Sequence, residues 1–328
     1  MKTLDEQIEY MKSKVAALIR CVSVSGGKDS TACALLALER HGPENLNLVF
    51  ADTGNEHEQT LEYVHEYMPQ FLGIPVQVVR ADFTHQIQRK REFVRTKWPE
   101  HGVSQYKIDC ALAVLQPTGN PFLDLCIWKG RFPSRMAQFC TQELKTLPLV
   151  EYQSGLLDAG FLVESWQGIR RDESHNRRNA LEREDVGGGL SIYRPIVEWT
   201  AQQTVDYVRS KGMKLNPLYS QGLGRVGCMP CINAGKNELL AIAQRFPEHI
   251  ERIAEWERIV GEAGKRECGG GQTFFTAIGE TNETAYAAGN INQKVEWAKT
   301  QRGGVKYDLF RCVEHLSSTC SSAYGLCE

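Results

Sequence analysis

Ser25-Gly26-Gly27-Lys28-Asp29-Ser30 gathers into six residues the groups needed to hold a polyphosphate. Consecutive glycines let the backbone turn tightly and aim several N–H groups at one anion, and a helix opening directly after them adds the positive end of its dipole. Lys28 supplies a mobile cation, while Ser25 and Ser30 supply hydroxyl donors. Asp29 is too acidic to be a simple phosphate ligand and instead fixes the loop or helps organise a magnesium ion. The hexapeptide fits neither G-x-x-x-x-G-K-[ST] nor G-x-G-x-x-G. A plain Gly-Gly turn closed by an Asp/Ser cap explains the glycines and the cap, but not Lys28 together with both serines.

Thiol chemistry is the second signal. The chain has 11 cysteines, an odd and high number without a secretory signal, so a disulfide framework is disfavoured and metal, cluster or sulfur chemistry is the better reading. Cys228-Met229-Pro230-Cys231 can converge two thiolates on one metal or cluster. Taken alone it is a redox pair or half a zinc site, and its Pro/Gly-rich approach lacks the βα setting of a thioredoxin-like pair. Cys21, Cys33, Cys110 and Cys126 lie in apolar surroundings, where cysteine behaves as a small hydrophobe.

The elements that position these residues follow from pattern. Short β-branched runs at Arg20–Val24, Leu46–Ala51 and Ile74–Val79 alternate with helical patterns at Thr31–Arg40 and His57–Phe71. Such a βαβαβ opening predicts an α/β fold: a mostly parallel twisted sheet with helices on both faces, its ligands at the carboxyl ends of the strands. Ser25–Ser30 and Asp52-Thr53-Gly54-Asn55 both fall at such ends. Phe161–Trp166 reads as a further strand, leading into Gly168-Ile169-Arg170-Arg171-Asp172-Glu173-Ser174, and Leu190–Val197 as another extended segment. Thr200 followed by Gln203 predicts a capping box. Pro99–Pro133 reads as an irregular lid or substrate-shaping insertion. After Pro217 the pattern turns helical, at Lys236–Gly264 with a break at Pro247 and at Asn282–Arg302. The expected division is a nucleotide-binding α/β domain over 1–215 and a smaller, cysteine-bearing helical subdomain over 216–328.

Four motifs, in order along residues 20–235, resemble the PAPS reductase-like branch of the PP-loop ATP pyrophosphatases. Ser25–Ser30 is similar to the S-G-G-x-D-S loop that holds the β/γ-phosphates of ATP. Asp52-Thr53-Gly54 with Thr60 resembles the branch's D-T-G-x-x-x-x-x-T element at the adenosine edge. Gly168–Ser174 resembles its G-x-R-x-x-E-S segment, in which guanidinium forks suit phosphate or sulfate. Cys228-Met229-Pro230-Cys231 is the fourth, and Cys140-Thr141 through Leu144-Lys145 matches the C-T-x-x-L-K segment that accompanies C-x-x-C in iron–sulfur members.

The resemblance implies nucleotide contacts from Ser25, Gly26, Gly27, Lys28, Asp29, Ser30, Asp52, Thr53, Gly168 and Arg170, with Lys28, Asp29, Arg170 and Arg171 as the catalytic set. ATP and Mg2+ are the implied ligands. It also implies a 4Fe-4S cluster on Cys140, Cys228, Cys231 and a fourth cysteine, with Cys268 favoured over Cys312, Cys320 and Cys327. Structural zinc is the alternative, although no histidine follows Cys231 at zinc-finger spacing. PAPS reductases generally carry a degenerate loop and a Glu-Cys-Gly tail, whereas here the loop is intact and the chain ends Leu326-Cys327-Glu328. In motif pattern the chain most resembles the iron–sulfur DNA phosphorothioation sulfurtransferases. That parallel implies adenylation of an acceptor such as a DNA backbone phosphate, release of AMP and pyrophosphate, and a sulfur donor such as a cysteine desulfurase. PAPS reduction and non-catalytic nucleotide binding are the alternatives.

Composition limits the partners. Net charge is −2, with 42% hydrophobic and 24% charged residues, so a nucleic-acid site must be local, at His85–Lys97 or among the arginines of Arg170–Arg183. The charged Met1–Arg20 segment has no signal-peptide core and no later run is long enough to span a bilayer, which gives a cytoplasmic expectation without membrane partners.

Overall fold

The computed structural model describes residues 17–44, 46–174, 177–265, 271–277 and 282–300. Within them, two compact units are each assembled from separate stretches of chain: 17–51, 59–79 and 148–216 in the first, and 52–58, 80–147 and 217 onward in the second.

The first unit is built on the sheet. Strand β1 (Leu18–Val24) is followed by helix α1 (Lys28–His41), then β2 (Leu46–Asp52) and a helix over 58–72, α2, which widens into a π turn at Tyr63–Tyr67. β3 (Val76–Arg80) completes this half. Later come β4 (Leu162–Trp166), β5 (Arg183–Gly187) and β6 (Leu190–Tyr193), giving the order β3-β2-β1-β4-β6-β5. β1 runs parallel to β2 and β4, with Val24 opposite Phe50 and Val22 opposite Trp166; β6 is parallel to β4, and β5 alone is shown antiparallel. The fold is thus the expected α/β architecture with a mostly parallel sheet. Val22, Val24, Leu48, Phe50 and Trp166 pack with the Ala/Leu face of α1, which is why β1 and β2 read as near-continuous apolar runs. Helix α7 (Ala201–Ser210) carries the capping box, with Gln203 N donating to Thr200 Oγ1 and Thr200 N to Gln203 Oε1.

The second unit is helical: α3 (Thr84–Glu100), α4 (Gln105–Val114), α5 (Pro121–Lys129), the first part of α6 (over 139–158), α8 (Lys236–Arg245), α9 (Pro247–Ala263), α10 (Asn282–Gly289) and α11 (Ile291–Ala298). Pro99–Pro133 is therefore not irregular. Its prolines and glycines punctuate helices rather than prevent them: Ser104 and Asn120 cap α4 and α5, Pro121 opens α5, and Gly130 closes it in the left-handed conformation. Trp256 of α9 stacks on Phe122 of α5 at 5.6 Å, which joins this insertion to the C-terminal helices in one core.

Glu257 is buried inside that core. Phe274 N and Ile291 N donate to its two carboxylate oxygens at 2.7 and 2.9 Å, so Glu257 both anchors 271–277 and satisfies the start of α11. Burial pushes its carboxyl up to about 7. The folded chain then holds this proton more tightly than the unfolded chain, so the group's contribution is full at low pH and is lost as pH rises from its unfolded value through about 7. Denaturant melts near pH 5 and pH 8 are expected to show Glu257→Gln removing about 3 kcal/mol of that decline. The variant's stability is also lower at either pH, since an amide oxygen can accept only one of the two N–H groups.

Candidate functional site

The Ser25–Ser30 loop leaves β1 and enters α1 in the first unit. Gly26 has φ of +73°, and a Cβ there would stand 2.9 Å from Thr60 Cγ2, so glycine is required on both conformational and steric grounds. Ser30 Oγ donates to Gly27 O at 3.0 Å and accepts from Ser25 N at 3.1 Å; the two hydroxyls lie 3.2 Å apart. Gly27 is the N-cap of α1 and brings no side-chain acceptor. The first-turn N–H groups therefore keep their capacity for an external anion.

Lys28 and Arg170 frame Asp29. Lys28 Nζ is 3.3 Å from Asp29 Oδ2, and Arg170 Nε is 2.6 Å from Asp29 Oδ1. Arg170 is almost wholly buried and bonds Asp172 as well, while Arg171 pairs with Glu198 and donates to Ala180 O. Asp29 thus ties the phosphate loop to the segment after β4. Gly168 makes that approach possible, because a Cβ there would meet Asp29 O at 2.6 Å. Gly168→Ala is expected to cost about 1–3 kcal/mol by overpacking and to weaken nucleotide binding; denaturant melts alongside equilibrium dialysis with ATP check both.

Asp52, Thr53 and their loop belong to the second unit, where the thiols are. Asp52 Oδ1 accepts from Gly54 N at 2.8 Å, and Arg80 lies 3.4 Å from its other oxygen. Thr53 Oγ1 donates to Glu56 Oε1 at 2.7 Å and sits 3.5 Å from Cys228 Sγ. Glu56 and Cys228 form a β-bridge, Met229 N donates to Asn55 O at 2.7 Å, and Asn55 Nδ2 donates to Pro230 O at 3.0 Å. Arg252 locks the junction by donating to Asn55 Oδ1 and Met229 O. The D-T-G loop and C-x-x-C are therefore one local structure, joined across more than 170 residues. Sequence reading had no signal for the roles of Asn55, Glu56 and Arg252.

Cys140, Cys228 and Cys231 share Lys145 as a neighbouring cation: the Cys228 sulfur, Glu56, Cys231 and Cys140 all favour its ammonium form. Burial pushes Cys228 up to about 12 and raises Cys140 as well, so loading either with a metal or cluster releases a proton. Three soft thiol donors around one cation fit the thiolate chemistry of an iron–sulfur group or zinc. Cys268, Cys312, Cys320 and Cys327 lie outside the described residues.

The phosphoadenosine phosphosulfate reductase domain pattern matches residues 20–234, which include the loop, Asp52-Thr53-Gly54, Cys140, Gly168–Ser174 and both cysteines of C-x-x-C. The chain belongs to the phosphoadenosine phosphosulfate reductase domain family. This is the PAPS reductase-like branch of the PP-loop superfamily. The chain is 44% identical over 341 residues to an uncharacterized 37.8 kDa protein in the gpa 5′ region of Escherichia phage 186, covering 94% of this chain and 97% of that one. It is 35% identical over 103 residues to the adenosine 5′-phosphosulfate reductase of Rhizobium meliloti, covering 31% of this chain and 34% of the reductase. A crystal structure of PAPS reductase from Candida auris in its phosphate complex aligns with TM-score 0.42 and 13% identity, over 68% of this chain and 87% of that one.

The two basic clusters of this family member are largely engaged internally. Lys90 Nζ donates to Ile127 O, Arg91 to the carbonyls of Leu112 and Leu115, Arg95 pairs with Glu92 and Lys97 with Glu100. Arg177 pairs with Glu173, and Arg183 pairs with Glu164 while lying 3.8 Å over the Tyr193 ring. Among the described residues no helix is long and apolar enough to cross a membrane.

Proposed function

We propose that this chain is an ATP pyrophosphatase that activates an acceptor for sulfur transfer. The observation that carries this reading is the intact Ser25–Ser30 loop, with its glycine turn, paired serines, Lys28 and a helix start free of a side-chain cap. An acceptor oxygen attacks the α-phosphorus of ATP, the bond to the β-phosphate oxygen breaks, and pyrophosphate leaves. The terminal sulfur of a cysteine persulfide, supplied by a donor such as a cysteine desulfurase, then attacks the adenylated acceptor and displaces AMP, and thiol reductant cleaves the resulting S–S bond, leaving the sulfur on the acceptor and the donor cysteine as a thiol. Backbone N–H groups of the α1 start and Lys28 stabilise charge on the departing pyrophosphate, and Mg2+ bound with the ATP would add to that charge stabilisation. Asp29 holds Lys28 and Arg170 in place. Arg171 is proposed to face the α-phosphate once released from Glu198. Asp52 and Thr53 are proposed to contact the nucleoside, and a DNA backbone phosphate is the acceptor suggested by the phosphorothioation parallel.

Cys140, Cys228 and Cys231, with Cys268 as the proposed fourth ligand, would hold a 4Fe-4S cluster, which supplies a site for sulfur or redox chemistry. Lys145 and Glu56 set the charge around those thiols. Iron and acid-labile sulfide in anaerobically purified protein support this assignment, whereas zinc alone contradicts it. The family match and the adenosine 5′-phosphosulfate reductase relative favour a second reading, sulfate reduction on a preformed adenylyl sulfate. That reading expects sulfite release from PAPS with a thiol reductant, lost in Cys327→Ser. Competition binding separates the nucleotides: the ATP reading expects Mg·ATP to displace labelled ATP more strongly than PAPS does.

A further inference from the structure

His57, Glu58 and His249 bring their ligand atoms within 4.8 Å of one another in the second unit, apart from the thiols of C-x-x-C. Glu58 Oε2 lies 3.8 Å from His57 Nδ1 and 3.3 Å from His249 Nε2. His249 is 1% exposed; its Nδ1 has no hydrogen-bond partner, and its Nε2 faces only Glu58 Oε2, at 3.3 Å. A buried ring nitrogen without a partner is unfavourable unless something else satisfies it. The two imidazoles stack at 4.9 Å and 20°, and Phe246 closes the His57 ring edge-on at 4.5 Å.

An ordinary ion pair with Glu58 requires a protonated histidine. Burial lowers both imidazoles, and the Arg252 guanidinium lowers them further, while Glu58 and Glu248 act in the opposite sense. A neutral imidazole is instead a ready metal ligand. Two imidazoles and one carboxylate form a donor set for a borderline divalent ion, and three protein ligands leave coordination positions open. The Glu58 side chain is 74% exposed, so those positions have access to solvent. Arg252 is the opposing charge, but its Nη2 is committed to Asn55 Oδ1 and Met229 O.

We propose that His57, Glu58 and His249 bind one divalent first-row transition ion with open coordination positions, distinct from any metal or cluster on the cysteines. Binding turns the imidazoles out of their stack so that their lone pairs converge. It also fixes the Thr53–Glu58 loop, which bridges to Cys228, onto helix α9.

Co2+ titrated into the full chain as isolated, followed by visible absorption, tests this site. The expected result is one equivalent with d–d bands and no added sulfur-to-cobalt charge transfer. Glu58→Gln and His249→Ala are expected to weaken that equivalent about tenfold or more while iron and sulfide content stays at the wild-type level. Glu58→Gln alters an exposed carboxylate and keeps its shape, so its effect is read without loss of fold. Wild-type protein that takes up Co2+ solely with sulfur charge transfer, or variants that bind as wild type, overturns the proposal.

Discussion

Arg170→Ala is expected to lower the free energy of unfolding by about 3 kcal/mol, the cost of leaving one partner of a buried ion pair behind. Arg170 is 3% exposed, and its guanidinium bonds both Asp29, at 2.6 Å, and Asp172. The loss sits toward the lower end for such pairs because Lys28 still neutralises part of the Asp29 charge at 3.3 Å. Urea titrations provide the check: the midpoint should fall with little change in slope. Arg170→Lys keeps the charge but not the planar fork and should recover only part of the loss. Arg171→Ala is the control, because its bond to Glu198 is partly exposed and is worth under about 1 kcal/mol. Equal small losses in the two alanine variants would mean that Arg170 does not anchor the loop.

Lys28→Met carries the largest expected effect on turnover. A single preorganised group facing developing charge is worth about 10²–10³ in rate, so pyrophosphate release should fall by that factor while the chain stays folded. Lys28 is buried at the start of α1, beside the N–H groups that Gly27 leaves without a side-chain cap. The expected split is a loss in kcat larger than any rise in KM for ATP, because the lysine acts on charge that grows as the pyrophosphate departs. Loss confined to KM would make Lys28 a ground-state binding group.

Local chemistry was legible in the sequence, and long-range pairing was not. The loop, the Thr200–Gln203 box and the parallel strands are specified by residues close in sequence. Cys21, Cys33 and Cys126 are buried as their apolar surroundings imply, while Cys110 is half-buried. The Asp29–Arg170 pair spans 141 residues and changes the meaning of the arginine motif from an open clamp to a buried tie. Thr53 and Asn55 reach Cys228 and Pro230 across 175 residues, so a loop read as the nucleoside edge also braces the thiols. β5 was missed because Arg183-Glu184-Asp185 lacks any apolar alternation, and it forms as an exposed edge strand paired to β6. The helices at Gln105–Val114 and Pro121–Lys129 were hidden by the prolines and glycines that delimit them.

The intact phosphate loop matters only if ATP is the nucleotide consumed and its α-phosphate the point of attack. Quantifying nucleotide and phosphate products from ATP, in the presence of Mg2+, a persulfide donor and candidate acceptors, tests that most directly. AMP and pyrophosphate appearing in equal amounts, both lowered about 10²–10³-fold by Lys28→Met, is the predicted result. Inorganic phosphate with ADP, or sulfite from PAPS with ATP untouched, would contradict it.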